Sequence, residues 1–268
     1  MSRFGSLFPG PKPIIGVIHL PPLPGYPTSP GLAAVIEKAL RDLAALETGG
    51  AAGALVENEE DRPHRVEASR ETIAVMTRVT RELVLAARRV VVGAEILLND
   101  PRASLAVASA AGACFIRTDY FVDRMTRPEY GGEMVIDPAG LLAYRRQIGA
   151  DDVLILADIQ VKYAAMIEPR SIGQSAKAAG HAGADAIVVT GALTGAAPRA
   201  ADVREATEVG AGCPVLIGSG LAIDNAADLL SVADGALVGT SLKRGPSIDP
   251  VIVQTLVDIA RRAGGRTR

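Results

Sequence analysis

Short aliphatic and β-branched runs recur along the whole chain: "IIGVI", "GALVE", "VVVGAEIL", "ACFIRTD", "VLILADI", "AIVVTG", "PVLIGSG" and "GALVGTS". They are nearly continuous in hydrophobicity, whereas a strand wetted on one face alternates. Continuous runs mark strands buried on both faces of a parallel sheet. Segments of helical period separate most of them. In "HRVEASRETIAVMTRVTRELVLAARR", Val66, Ile73, Met76, Val79 and Leu83 fall on one face. The same pattern returns in "GLAAVIEKALRDLAAL", "GLLAYRRQI", "SIGQSAKAAGHAG", "DNAADLLSV" and "DPVIVQTLVDIARRA". Strand then helix, repeated along the chain, predicts an α/β fold: a single (β/α)8 TIM barrel. A doubly wound open sheet is the alternative, but no GxGxxG turn follows the first strand.

No composition break divides the chain, so residues 1–268 read as one barrel domain that begins with a short irregular segment, 1–12. The longest connection without clear period, "YFVDRMTRPEYGGEMVID", follows the fourth strand. A connection of that length inside a compact domain predicts a lid or a binding loop.

A hydrophobic content of 49% over 268 residues supports a large core. Lys and Arg total 28 against 30 Asp and Glu, which leaves no basic surplus for sequence-independent nucleic-acid binding. Cys114 and Cys213 are far apart and have no CxxC partner, as expected of free thiols in a reducing cytosol. "MSRFGSLFPGPKP" lacks the apolar core of a signal peptide, and no apolar run reaches the roughly 18 residues of a membrane span. The expectation is a cytoplasmic protein without a transmembrane segment. Alanine-rich helices such as "SIGQSAKAAGHAGA" suit close helix packing and point to a homo-oligomer.

In a barrel the residues just after each strand converge on one face, where sites of this fold lie. Collected strand by strand they are His19; Glu57, Asn58 and Asp61; Glu95, Asn99 and Asp100; Arg117 and Asp119; Asp158 and Lys162; Thr190 and Thr194. The opposite rim reads as short Gly and Ala turns. Asp158 and Lys162, four residues apart in "LADIQVKYAA", form either a general acid–base pair, with Lys162 also able to form an imine, or a rim salt bridge. His19 and Glu57 are expected across the mouth as the second acid or base and its orienting group. Glu57 and Glu95 end apolar strands and each needs a partner. Lys162, Arg117 or His19 could serve, or a divalent cation held by the two carboxylates and Asn99. No spacing supports zinc, and no nicotinamide or flavin signature is present. His64 is expected to begin a helix and His181 to lie near a helix C-terminus.

The last two strands end in "GSG" (Gly218, Ser219, Gly220) and "GTS" (Gly239, Thr240, Ser241), which can expose backbone N–H groups to a phosphate. Barrels often bind phosphate with the loops after strands seven and eight. Aromatics make up only 3% of the chain, yet Tyr26, Tyr120, Phe121, Tyr130 and Tyr163 all fall in loops of the strand-end face, which predicts a pocket lining or a subunit interface.

In order along the chain, "PKPIIGVIHLPPLPGYP", "GALVEN", "GAEILLNDPRASLAVASAAGACFIRTD", "ADIQVKYA", "VVTGALTG", "VLIGSGLAIDNAADLL" and "DGALVGTSLKRG" resemble the BtpA/SgcQ family. The resemblance runs from about Pro11 to about Val253. It implies a barrel of the ribulose-phosphate-binding type. Cyanobacterial members are tied to biogenesis or stability of photosystem I, and bacterial relatives occur in sugar-related contexts with a nucleosidase label. Family motif positions include His19, Glu57, Asn58, Asn99, Arg117, Asp158, Lys162, Thr190, Thr194, Gly218, Ser219, Gly220, Gly239 and Thr240. Two positions depart: "ENEEDRPHR" stands where relatives read close to "ENFGDAPF", and Tyr163 replaces the usual His after the fifth-strand lysine. Both lie at the predicted mouth, so substrate choice is expected to differ.

The expected function is an enzyme acting on a small phosphorylated sugar or nucleoside-like compound by acid–base chemistry, with lyase, isomerase and glycosidic-cleavage reactions open. His19, Glu57, Asp158 and Lys162 are the expected catalytic groups. Asn58, Asn99, Arg117, Thr190, Thr194 and the two glycine loops are the expected substrate ligands. The alternative is a non-catalytic assembly factor working through protein or membrane-complex contacts.

Overall fold

Eight parallel strands close on themselves in chain order: β1 (Ile14–His19), β2 (Gly53–Glu57), β3 (Val91–Glu95), β4 (Phe115–Thr118), β5 (Leu154–Ile159), β6 (Ala186–Val189), β7 (Val215–Ile217) and β8 (Gly235–Val238), with β8 pairing back to β1. The computed structural model describes residues 2–193 and 195–265. A helix follows every strand: α2 (Leu32–Gly49), α3 (Arg70–Ala86), α4 (Pro101–Ala111), α5 (Pro138–Gln147), α6 (Ile172–His181), α7 (Ala200–Val209), α8 (Ala226–Val232) and α9 (Pro250–Gly264). Side chains start several of them. Ser69 and Asp100 accept from the N–H groups of Thr72 and Ala103, and Ser171 and Gln174 form a capping box. Among the described residues no helix is long and apolar enough to cross a membrane.

The continuous hydrophobicity of the strands reflects two cores. Outward side chains such as Ile18, Val56, Ile116 and Ile187 pack beneath the helices. Inward ones, including Val17, Leu55, Phe115, Leu156, Val188, Leu216 and Leu237, fill the barrel. Gly93 is glycine because the Phe115 ring occupies the place of its Cβ, which would lie 2.3 Å from it.

The N-terminal segment is irregular only in part. Arg3–Leu7 form a short helix, α1, capped by the Ser2 hydroxyl. Phe4 and Phe8 stack at 4.8 Å between ring centroids, and Phe8 meets Phe115 edge-on at 5.6 Å, so two aromatic rings plug the floor of the barrel. Burial of each ring contributes roughly 1.5–3 kcal/mol. The long connection after β4 is also ordered. Met125–Arg127 and Gly132–Met134 form a hairpin, and Ala165–Met166 from the β5–α6 connection adds a third strand. Met125, Met134, Tyr120, Val161 and Leu98 give this small sheet its own apolar cluster.

Candidate active site

The two-residue period that fills the barrel carries upward to its C-terminal rim. One step above the inner apolar layer the inward positions are His19, Glu57, Glu95, Arg117, Asp158, Thr190, Gly218 and Gly239. Every one is polar or glycine. His19, Glu57 and Glu95 are register partners on neighbouring strands, so these side chains stand side by side.

Arg117 is the hub. Its Nε donates to Asp158 Oδ2 at 2.7 Å and its Nη2 to Asp158 Oδ1 at 2.9 Å, while Nη1 donates to Glu57 Oε1 at 3.3 Å and lies 3.9 Å from Glu95 Oε2. Burial works against the guanidinium charge, but Asp158, Glu95 and Glu57 outweigh it and Arg117 stays charged. Arg117 therefore faces Glu57, Glu95, Asp158 and the adjacent Asp119, all buried, with Lys162 the further cation that acts on Glu57 and Asp119. Protons must remain on part of this set. Burial also opposes the charge of Glu57, yet Arg117, a hydrogen bond from Glu95 and the nearby Lys162 hold it below the usual carboxylate range. Burial and the charge of Glu57 push Glu95 well above that range. Glu95 is the neutral partner, and its proton can be shared with Glu57, which supplies the partner that Glu95 Oε2 otherwise lacks. Burial and the neighbouring Asp158 push Asp119 up to about 7.

His19 lies on the other side of Glu57, its Nε2 3.8 Å from Glu57 Oε2. Burial lowers its pKa to about 4 against the opposing pull of Glu57, so the ring is neutral near pH 7. Lys243 Nζ sits 2.8 Å from Nδ1. An ammonium donating to Nδ1 leaves the ring proton on Nε2, toward Glu57. Gly239 has no side chain because a Cβ there would lie 2.9 Å from His19 Nε2.

Two lobes open above this ring. The carboxyl lobe, about 240 Å³, is lined by Glu95, Asp119, His64, Arg127 and Tyr130 among others. The glycine lobe, about 190 Å³, is lined by His19, Gly218, Ser219, Gly220, Gly239, Thr240 and Ser241. They share Glu57, Glu59, Arg117 and Lys162. Among the described residues, the backbone N–H groups of Ser219, Gly220, Thr240 and Ser241 have no protein acceptor. Gly220 adopts φ +67° and packs so closely on Ala196 and Ala197 that a Cβ would collide at 2.2 Å, which binds the loop after β6 to the loop after β7.

Residues 10–262 match the model of the BtpA family. The chain belongs to the BtpA family. It is 37% identical over 259 residues to the photosystem I biogenesis protein BtpA of Synechocystis, covering 92% of this chain and 87% of that one. It is 36% identical over 250 residues to an uncharacterized protein of Archaeoglobus fulgidus, covering 93% and 99%. Among solved structures, a Mycobacterium tuberculosis tryptophan synthase superposes with a TM-score of 0.63 at 18% identity, covering 97% of this chain and 98% of that chain, a likeness of fold.

Within this BtpA-family barrel the residues singled out from sequence fall into three groups. His19, Glu57, Arg117, Lys162, Gly218, Ser219, Gly220, Gly239, Thr240 and Ser241 line the lobes. Asp158 is fully buried beneath them, held in two hydrogen bonds by Arg117 instead of pairing with Lys162. Asn58, Asn99 and Thr190 line neither lobe. Asn58 accepts from Leu97 N and donates to Asp61, tying two loops together. Thr194 lies outside the described residues. The Ser219 hydroxyl accepts from Gly191 N and donates to Ala196 O, so it braces the scaffold. The place foreseen for a cation between Glu57 and Glu95 holds the Arg117 guanidinium, and among the described residues no group of three metal-ligating side chains exists.

Tyr120 and Phe121 are core residues, and Tyr26 lines neither lobe; Tyr130 and Tyr163 do line the carboxyl lobe. His64 does not begin a helix, since α3 starts at Arg70, but sits in the carboxyl lobe, and Val66 lies before that helix in the hairpin cluster. Arg127 reaches the lobe through the hairpin, which strand-end counting could not locate.

Proposed function

We propose that this protein is an enzyme acting on a small phosphorylated sugar-like compound by proton transfer at the mouth of the barrel. The observation that carries the reading is that two lobes of opposite chemistry meet on Glu57, Glu59, Arg117 and Lys162. In the glycine lobe the free N–H groups of Ser219, Gly220, Thr240 and Ser241 suit a phosphate, with Lys162 as the nearby cation. In the carboxyl lobe, environments that push neighbouring carboxyls apart in pKa mark acid–base roles. Glu57 is the charged base, Glu95 the proton-bearing acid, and Asp119, near 7, can act in either direction. Asp158 orients Arg117, whose guanidinium stabilises negative charge developing on the substrate. Neutral His19 positions Glu57.

Titration with inorganic phosphate, followed by amide NMR, tests the reading. The Ser219, Gly220, Thr240 and Ser241 signals should move, and Lys162→Met should weaken the response. An anion bound only elsewhere overturns it. The name of the Synechocystis relative supports a second reading, a factor acting in assembly of another complex. Full biological activity retained in a Glu57→Gln, Lys162→Met double variant would favour that one.

A further inference from the structure

The outer end of the carboxyl lobe contains nitrogen chemistry that the proton-transfer reading does not use. His64 is only 8% exposed, it lines the lobe, and its Nδ1 is buried with no hydrogen-bond partner among the described residues. A buried ring nitrogen without a partner is costly and calls for an explanation. Arg62 and Arg127 line the same lobe, and both are close enough to His64 to disfavour its protonation. Arg127 is held rigidly. Its Nη1 reaches the Tyr120 hydroxyl at 3.4 Å, its guanidinium lies 4.8 Å from the Tyr130 ring centroid, and its Nη2 pairs with Glu129 at 2.8 Å. Glu129 is half exposed and not part of the lobe lining, so the neutralising carboxylate stands outside while the guanidinium faces in. Arg62 pairs with Glu59, the acid at the junction of the lobes.

We propose that Arg62, His64 and Arg127 form a second anion subsite, so that the substrate carries an acidic group at each end. One is the phosphate on the glycine loops; the other is an oxyanion, carboxylate or second phosphate, in the carboxyl lobe. This rests on the reading of the glycine lobe as a phosphate site and narrows the substrate class to doubly anionic sugar derivatives. Two guanidinium groups near an imidazole suit an oxyanion: with Nε and Nη2 of Arg127 on Glu129 and Nη1 on the Tyr120 hydroxyl, one N–H remains on each of Nη1 and Nη2, and Arg62 adds the donors that Glu59 leaves. The arriving anion also supplies the charge that allows His64 to take up a proton and become a donor. Burial and the two arginines now hold its pKa at about 4 against the smaller opposing pull of Glu57.

The test compares three probes on the full chain: ribose 5-phosphate, with one anion, and 6-phosphogluconate and ribulose 1,5-bisphosphate, with two. Affinity is read by calorimetry, His64 by its ring C–H resonance, and the glycine lobe by the Gly239 and Thr240 amides. The doubly anionic probes should bind at least about tenfold more tightly than ribose 5-phosphate and raise the His64 titration midpoint by about one pH unit or more. Which of the two binds better distinguishes a carboxylate from a phosphate. Arg62→Gln, at an exposed position, and His64→Phe, which keeps the ring volume, should each remove most of that advantage and leave ribose 5-phosphate binding within about twofold. Equal affinity for all probes with a silent His64, while the Gly239 and Thr240 amides move, overturns the second subsite and leaves the phosphate reading intact. Silence at both places overturns both.

Discussion

Asp119 should cost the protein stability in a pH-dependent way, and replacing it with Asn should return that stability. The side chain is 9% exposed at the wall of the carboxyl lobe, and burial together with Asp158 raises its pKa from 3.8 to about 7. The folded chain holds this proton between those two values while the unfolded chain has released it. Its contribution is therefore fully present below the unfolded pKa, is lost progressively as pH rises, and is absent once the folded pKa is passed. Three pH units at 1.36 kcal/mol each set an upper limit of about 4 kcal/mol on the penalty at pH 8. Asp119→Asn removes the ionisation and retains the shape. Urea unfolding at pH 4, 6 and 8 should show the variant near wild-type stability at pH 4 and more stable by as much as about 4 kcal/mol at pH 8. Catalysis, if Asp119 moves protons, should fall in the same variant. A stability difference that is flat in pH, or a variant less stable at pH 8, would refute the reasoning.

Two further outcomes follow from the floor and the rim. Phe8→Ala should lower the unfolding free energy by about 3–5 kcal/mol in urea without altering phosphate binding; a loss below about 1 kcal/mol would mean that α1 is not docked. Lys243→Met removes one of the influences that depress His19. The His19 ring should then titrate above its present midpoint of about 4, though still below 6.5 because burial persists; an NMR titration showing no rise would refute the assigned hydrogen bond.

The barrel was legible because its determinant is local and repeated: continuous apolar strands in alternation with helices of 3.6-residue period. The rim was legible in part, because the same period that buries Leu55 and Leu156 must bring Glu57 and Asp158 to the mouth on the inner side. What strand-end counting cannot supply is pairing across the barrel. Asp158 and Lys162 are four residues apart in sequence, yet the stagger between strands gives Asp158 to Arg117 on β4. The hairpin eluded the pattern because its strands are three residues long and lean on Met166 from a later connection. The same reason hid Arg127. His64 was visible as a residue, but its position depends on where "EDRPHR" turns back over β3, as the pairing of Arg65 with Leu98 shows. In sequence, two Phe residues in the first eight read as a tail, because the barrel floor that receives them is assembled from distant strands.

The segment that carries α1 also draws together distant parts of the barrel. Phe8 rests on Phe115, Arg3 bonds to Asp185, and Lys12 donates to the carbonyl of Ala233, three partners drawn from β4, the start of β6 and the approach to β8. Residues 3–12 thus find their full set of partners only where β4, β6 and β8 come together. Their docking senses a closed ring, and it clasps β4, β6 and β8 together on the face turned away from the mouth.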